Sequence, residues 1–377
     1  MYSTRTTSGD FRNNAGGQIN IDNSKLIQLP TGFDHTRVCL RKKGEFVEGT
    51  RKWIIDDLID KINKNHCTIL LAGAGMGKSC IMAELTSRYS SNTGRNGFYI
   101  AGYHFFVSSD NHARSGELAL KSITCQLCNA SPKFLSYFNR TKQSLEENLR
   151  VARGNLAELF EKLILTPLKK MKKNNVVLGK KLVLLFDALD ECDKAVELSR
   201  VIRELSVEVA SMISLVISSR LEMSEGFNRN ECVMLEPTQK QNKQDFETFV
   251  RKRLGYASDK DNEKSVYQAI QDQSGGVFLW LKFQDEPLRK LAQKNELTAD
   301  AVRKLPSGIE NVFTAFFQRF FDDLLLFYHG NEEKSSEMYQ RAPAFSDFRG
   351  DMERMSWIQR DRRIIREISQ FSLLVSD

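Results

Sequence analysis

The feature that most constrains this chain is one short loop and what flanks it. Cys67-Thr68-Ile69-Leu70-Leu71 is an apolar run with the look of a buried parallel strand. Ala72-Gly73-Ala74-Gly75-Met76-Gly77-Lys78-Ser79 follows at once, and a helical pattern runs from Lys78 to about Tyr89. Strand, glycine-rich loop and helix in that order make a backbone cradle for phosphate. Gly73, Gly75 and Gly77 allow the turn that aims successive N–H groups inward, and the helix adds the partial positive charge of its N-terminus. Lys78 is placed to reach the β- and γ-phosphates of a nucleotide, and the Ser79 hydroxyl to ligate Mg²⁺. The strict form of the motif begins with Gly where this chain has Ala72. A plain Gly-rich turn would need neither the Lys-Ser pair nor the apolar run before it.

The second constraint lies about 110 residues downstream. Leu182-Val183-Leu184-Leu185-Phe186 leads into Asp187-Ala188-Leu189-Asp190-Glu191. A carboxylate at the C-terminal end of an apolar strand stands where ligands bind in open parallel sheets. Asp187 is placed to hold Mg²⁺, directly or through water, and Asp190 or Glu191 to act as general base toward an attacking water. Taken alone, the segment reads equally well as an acidic loop capping a helix; paired with the phosphate loop it reads as Walker B to the loop's Walker A. A third signal is Arg220, after the strand Met212–Ser218 and the pair Ser218-Ser219. An arginine there could reach a γ-phosphate, or simply be exposed at a strand end.

Further strands are expected at Phe98–Phe106, Lys181–Phe186 and Cys232–Leu235, with helices at 46–64, Ser115–Asn129 and 143–170. Strands alternating with helices predict a P-loop NTPase fold, a three-layer α/β/α sandwich on a parallel sheet. After Thr238 the strand signal stops. Consecutive helices at Lys243–Leu254, Asn262–Gln273, Val277–Asn295 and Ile309–Phe327 predict an α-helical subdomain. The expected organisation is a polar tail over 1–38, the NTPase domain over 39–238, the helical subdomain over 239–330 and a charged segment over 331–377. Within the tail, Gln18–Ile21 alternates like a strand; within the last segment, 358–371 is helix-like. No repeat of fixed period is present.

Composition closes off other classes. The chain has 377 residues and a net charge of +7 from 55 basic and 48 acidic residues. Both signs are abundant, and no basic stripe or aromatic platform argues for a nucleic-acid-dependent motor. The basic run Lys169–Lys173 reads as a solvated helix end. Seven Cys, an odd number, fit a reducing compartment. Cys125 and Cys128 form a C-x-x-C inside an apolar helix, with no second pair to complete a metal site. No apolar run is long enough to span a bilayer, which predicts a soluble, cytoplasmic protein. None of the five His suggests a triad or metal centre, and His104 reads as structural.

Asp187-Ala188-Leu189-Asp190-Glu191 resembles the Walker B variant of NACHT domains, the signalling P-loop NTPases of the STAND class. There a small residue follows the Mg²⁺-binding Asp and an acidic pair comes two positions on. Glu48–Arg51, Gly102–Phe106, Lys121–Leu127, Ser218–Arg220, Gly275–Trp280 and Leu305–Ile309 are also similar to that family's recurring segments, in order, over roughly residues 39–325. The resemblance implies a switch that binds Mg²⁺ with ATP or GTP through Gly73, Ala74, Gly75, Met76, Gly77, Lys78, Ser79 and Cys80, and hydrolyses it slowly. It also implies nucleotide-dependent self-association and protein partners. Val277 follows Gly275-Gly276 where related switch ATPases carry Gly-x-Pro. An N-terminal effector and a C-terminal repeat sensor are not evident, which points to a fragment or truncated member. The alternative is a scaffold module in which nucleotide is structural and hydrolysis negligible.

Overall fold

The computed structural model describes residues 35–91, 97–139, 155–225, 227–254 and 260–314. The expected strand at Gln18–Ile21, the first part of the 143–170 helix, most of the last expected helix and the whole of 331–377 lie outside them. In chain order the elements are α1 His35–Gly44, α2 Lys52–Lys64, β1 Cys67–Ala72, α3 Lys78–Tyr89, β2 Phe98–Phe105, α4 Gly116–Ala130 and α5 Pro132–Asn139. Then come α6 Leu156–Phe160, a π-helical turn Glu161–Leu165, α7 Thr166–Lys173, β3 Lys181–Asp187, α8 Ala195–Ser206, β4 Ile213–Ser219 and β5 Cys232–Leu235. The chain continues with α9 Lys240–Leu254, α10 Lys260–Ser274, α11 Phe278–Gln293 and α12 Ala299–Arg303.

The five strands form one sheet in the order β2-β3-β4-β1-β5, every neighbouring pair parallel. Both faces are covered, so the strands are mostly apolar rather than alternating with polar residues, and Thr68, His104, Asp187, Ser214, Ser218 and Ser219 on them, though polar, are themselves buried. Their side chains nevertheless divide by the two-residue period of a strand. Ile69, Leu71, Leu182, Leu184, Phe186, Leu215 and Ile217 enter one core with α4 to α8. Leu70, Ala72, Val183, Leu185 and Val216 enter the other with α1, α2 and α3. This is the three-layer α/β/α sandwich on a parallel sheet expected from the sequence. The described residues of 240–254 and 260–314 pack around a separate core centred on Phe246, Ile270, Trp280 and Leu288.

Several elements differ from expectation. The helix expected over 46–64 starts only at Lys52, because Arg51 takes a left-handed backbone, φ 61°, that no helix can propagate through. Helix α1 precedes it, with Cys39 packed on α3. In place of one helix ending at Lys170, α6 and α7 are joined by the π-helical turn, which inserts an extra residue into the helical register. Helices α5, α8 and α12 carry no expectation at all.

Two sequence features have structural explanations. The basic run at 169–173 ends α7, where Lys169 pairs with Glu161 and Glu208 at 3.0 Å each. Cys125 and Cys128 lie on α4, both free, as are all seven cysteines. Among the described residues no cluster has the makings of a metal site of His, Cys, Asp and Glu, and no helix is long and apolar enough to cross a membrane.

Strand β2 is a sheet edge with an unusual guard. The Gln126 side-chain amide accepts from Tyr103 N–H at 3.0 Å and donates to the Tyr103 carbonyl at 2.8 Å. It stands in for a peptide group of a further strand.

Candidate functional site

The sheet order explains why the sequence-distant motifs meet. After β1 the chain leaves for the far edge of the sheet, and returns through β2, β3 and β4 to lie beside β1 again. The C-terminal ends of β1, β4 and β3 therefore stand side by side, with α3 beginning above β1. That is the switch-point crevice where open parallel sheets bind ligands.

At the end of β1, Gly75 and Gly77 have φ of 73° and 86°, left-handed values that let the backbone coil. Gly73 does not, so the turn rests on two glycines rather than the three expected. Helix α3 starts at Lys78 directly after Gly77. The Lys78 ammonium donates to the carbonyls of Ala72 at 2.8 Å and Gly73 at 3.0 Å, lying back along its own loop. Burial holds its pKa below the ordinary lysine value, against the opposing pull of Asp190 and Asp187.

Asp187 ends β3 and is buried. Burial raises its pKa. Hydrogen bonds from the Ser218 and Ser79 hydroxyls and the charge of Lys78 work against that rise. Ser218 Oγ donates to Asp187 Oδ1 at 2.5 Å and accepts from the Ala188 N–H at 2.9 Å. Ala188 itself has φ 55°. A left-handed residue is tolerable for Ala and severe for a β-branched side chain, which gives the small residue after Asp187 a backbone reason. A single 3₁₀ turn, Leu189–Glu191, follows and carries both acidic side chains.

The acidic pair then divides. Asp190 Oδ2 pairs with Arg220 Nε at 2.9 Å and Asp190 Oδ1 accepts from Ser219 Oγ at 3.2 Å. Arg220 is thus drawn to the acidic turn from the end of β4. Glu191 instead accepts from the Ser108 N–H, after β2, at 2.9 Å. Burial lifts the Glu191 carboxyl to about 7, the Ser108 hydrogen bond opposing and the Asp190 and Asp187 charges adding to the rise. Cys80, on the first turn of α3, lies 3.8 Å from Glu45, and burial raises its thiol to about 12. A thiol held that high is inert at neutral pH.

The donor set fits a magnesium nucleotide. Ser79 and Asp187 supply a hydroxyl and a carboxylate, the hard-oxygen chemistry that Mg²⁺ takes, and the Ser79 hydroxyl is among the groups that oppose the rise of the Asp187 pKa. Lys78 is desolvated and held by two carbonyls that a phosphate oxygen can outbid, since it carries full charge. Bound there, Mg²⁺ would neutralise charge between the phosphates; Lys78 would hold the outer phosphates and Glu191 a water.

Sequence reasoning gave no role to three residues behind the loop. Arg51 donates to the Met76 carbonyl at 2.9 Å and to Asn242 Oδ1 at 2.5 Å, and its backbone N–H donates to Asp245 Oδ2 at 3.0 Å. Asn242 and Asp245 lie on α9, more than 190 positions away in the chain. The one available signal was Arg51 inside the Glu48–Arg51 segment. His104 is structural, as expected, its Nε2 lying 2.8 Å from the Ala113 carbonyl.

No curated protein matches this chain. Among solved structures, the Aeropyrum pernix ORC2 protein in its ADP form is similar at 12% identity over 70% of this chain and 71% of that one, with a TM-score of 0.37. Residues 49–220, from the segment of Arg51 through the phosphate loop and Asp187 to Arg220, match the family model described as Nephrocystin 3, N-terminal, and it is to this family that the core of the chain is similar, in keeping with the NACHT-type resemblance of its sequence.

Proposed function

We propose that this chain is a nucleotide-binding NTPase module, taking Mg²⁺ with ATP or GTP at the loop Gly73–Cys80 and hydrolysing it slowly. The observation that carries the reading is the meeting of Lys78, Ser79 and Asp187 at adjoining strand ends, with Ser218 bonding Asp187 from the strand between. Asp190 and Glu191 are the candidate acid–base groups. Glu191 is the better general base, because its pKa near 7 matches the working pH while Asp190 is engaged by Arg220. Arg220 would sense a γ-phosphate by exchanging its Asp190 partner for a phosphate oxygen.

The finer reading is a NACHT-type signalling switch acting in the cytoplasm, with protein partners and nucleotide-dependent self-association. It is supported by the match over residues 49–220 and by the bond from Leu279 of the helical subdomain to the Gly75 carbonyl of the phosphate loop. The alternative is a scaffold with structural nucleotide. It is favoured by one observation, the Asp190–Arg220 pair, which keeps both groups occupied. The test is single-turnover hydrolysis of radiolabelled ATP and GTP beside equilibrium binding, in wild type and Glu191→Gln. Binding with slow turnover that Glu191→Gln abolishes supports the switch. Binding without turnover in either protein supports the scaffold. No retained nucleotide, and no thermal stabilisation by Mg-ATP or Mg-GTP, overturns both.

A further inference from the structure

The carbonyls of two consecutive loop residues are held from outside the loop. The Gly75 carbonyl accepts from the Leu279 N–H at 3.1 Å, and the Met76 carbonyl accepts from Arg51 at 2.9 Å. A trans peptide is planar, with its oxygen and its hydrogen on opposite sides. The Gly75 carbonyl shares its plane with the Met76 N–H, and the Met76 carbonyl shares its plane with the Gly77 N–H. Fixing the two oxygens on the outer side of the loop therefore fixes the direction of two amide hydrogens on its inner side.

Both anchors lead to the same place. Leu279 is in the first turn of α11. Arg51 is bonded to Asn242 and ion-paired with Asp245 on α9, and its guanidinium lies 4.2 Å above the Phe278 ring. Asn242 Nδ2 in turn donates to the carbonyls of Pro237 at 3.1 Å and Gly276 at 3.5 Å. The hydrogen bonds leave the loop at Met76 and pass through Arg51 and Asn242 to Gly276; from there the backbone runs on to Leu279, whose N–H returns to the loop at Gly75. A guanidinium this buried has little reason to be there unless its fork is used: its side chain is 5% exposed, and burial lowers its pKa to about 10 against the pull of Asp245. The approach at Gly75 is also tight, since a Cβ on Gly75 would stand 2.6 Å from Leu279 Cβ.

We infer that Arg51 is a positioning residue for the phosphate cradle: with Leu279 it aims the Met76 and Gly77 N–H groups, so the grip of the loop on phosphate depends on the docking of the helical subdomain. The inference rests on the nucleotide-binding reading for its affinity arm and on geometry alone for its structural arm.

The experiment is amide hydrogen exchange on the full chain without nucleotide, together with Mg-ADP affinity, in wild type, Asn242→Ala, Asn242→Asp and Arg51→Lys. Asn242 touches Arg51 but not the loop. Asn242→Ala and Arg51→Lys should each speed exchange at Met76 and Gly77 about tenfold, leave exchange in β1 unchanged, and weaken Mg-ADP about tenfold. Asn242→Asp keeps the oxygen that Arg51 uses but loses the amide that donates to Pro237 and Gly276, so it should restore both only in part. If Asn242→Ala does not fold, Arg51→Lys, which keeps the charge and loses the fork, carries the same comparison. Unchanged exchange at Met76 and Gly77 in a folded variant overturns the inference, whatever the helical subdomain does. A wild type that binds no Mg-ADP overturns the nucleotide reading, and the exchange result still decides whether Arg51 aims the loop.

Discussion

Ser218 Oγ holds Asp187 Oδ1 at 2.5 Å while accepting the Ala188 N–H, so one hydroxyl on β4 fixes both the buried carboxylate and the left-handed residue after it. Ser218→Ala leaves a buried carboxylate and a buried N–H each short of a partner. The expected loss is about 1–3 kcal/mol of unfolding free energy, with weaker Mg²⁺ dependence of nucleotide binding. Urea denaturation of wild type and variant reads the first, and nucleotide titration at several Mg²⁺ concentrations the second. Ser218→Cys, which keeps a weak donor, should fall between them.

Lys78→Ala separates binding from folding. The ammonium is desolvated, and its bonds are to loop carbonyls that water can satisfy in its place. Stability should therefore change little. Affinity for Mg-ATP or Mg-GTP should fall by at least about a hundredfold, the scale of truncating one partner of a desolvated charge pair. Fluorescent-nucleotide titration beside a thermal melt checks both. Equal affinity in the variant would remove Lys78 from the site.

Glu191 makes a prediction with a definite sign. Its folded-state pKa is about 7, above the 4.5 of the free side chain. The folded protein binds this proton more tightly than the unfolded chain. The stability it contributes is thus fully present below about pH 4.5 and is lost as pH rises through 7. Glu191→Gln cannot ionise, so it should gain on wild type between pH 5 and pH 8, by no more than about 3 kcal/mol. Denaturation midpoints across that range test this. Turnover should move the opposite way in wild type, rising with pH through about 7 as the base deprotonates, and be absent in the variant.

Gly75→Ala meets three obstacles, the φ of 73°, Leu279 Cβ 2.6 Å from the new methyl and Val277 Cγ1 at 3.0 Å. It should cost more than the roughly 1 kcal/mol of left-handed strain alone. Leu279→Gly in the same chain should recover the larger steric part and leave the strain together with the approach of Val277 Cγ1 at 3.0 Å. Thermal melts of the two single variants and the double variant separate the terms; full recovery in the double variant would mean the backbone strain is negligible.

The sheet was legible because each strand is a short apolar run closed by a turn, a signal that survives without tertiary information. Lys78, Ser79 and Asp187 were legible for a related reason: their chemistry is local, a loop and a strand end. The Ala188 spacer was noticed as a family mark, and only its φ shows why a small residue stands there. Helix α8 was passed over although Leu198, Val201 and Ile202 fall on one buried face, because Glu and Arg fill the positions between them. The break between α6 and α7 had no signal, since a π-helical turn changes hydrogen-bond register without any Gly or Pro to announce it. The partnership of Arg51 with Asn242 and Asp245 was out of reach on physical grounds. It joins residues more than 190 positions apart, and no periodicity or propensity carries information over that distance.

The Gln126 amide on Tyr103 bears on how copies of this chain can meet. One margin of the sheet is occupied at its middle by a side chain in the guise of a neighbour, and the other margin, β5, is four residues long. A visiting strand would have to evict the first or make do with the second. The proposed self-association would then have to run through the helical flanks, because neither sheet margin offers a long open edge.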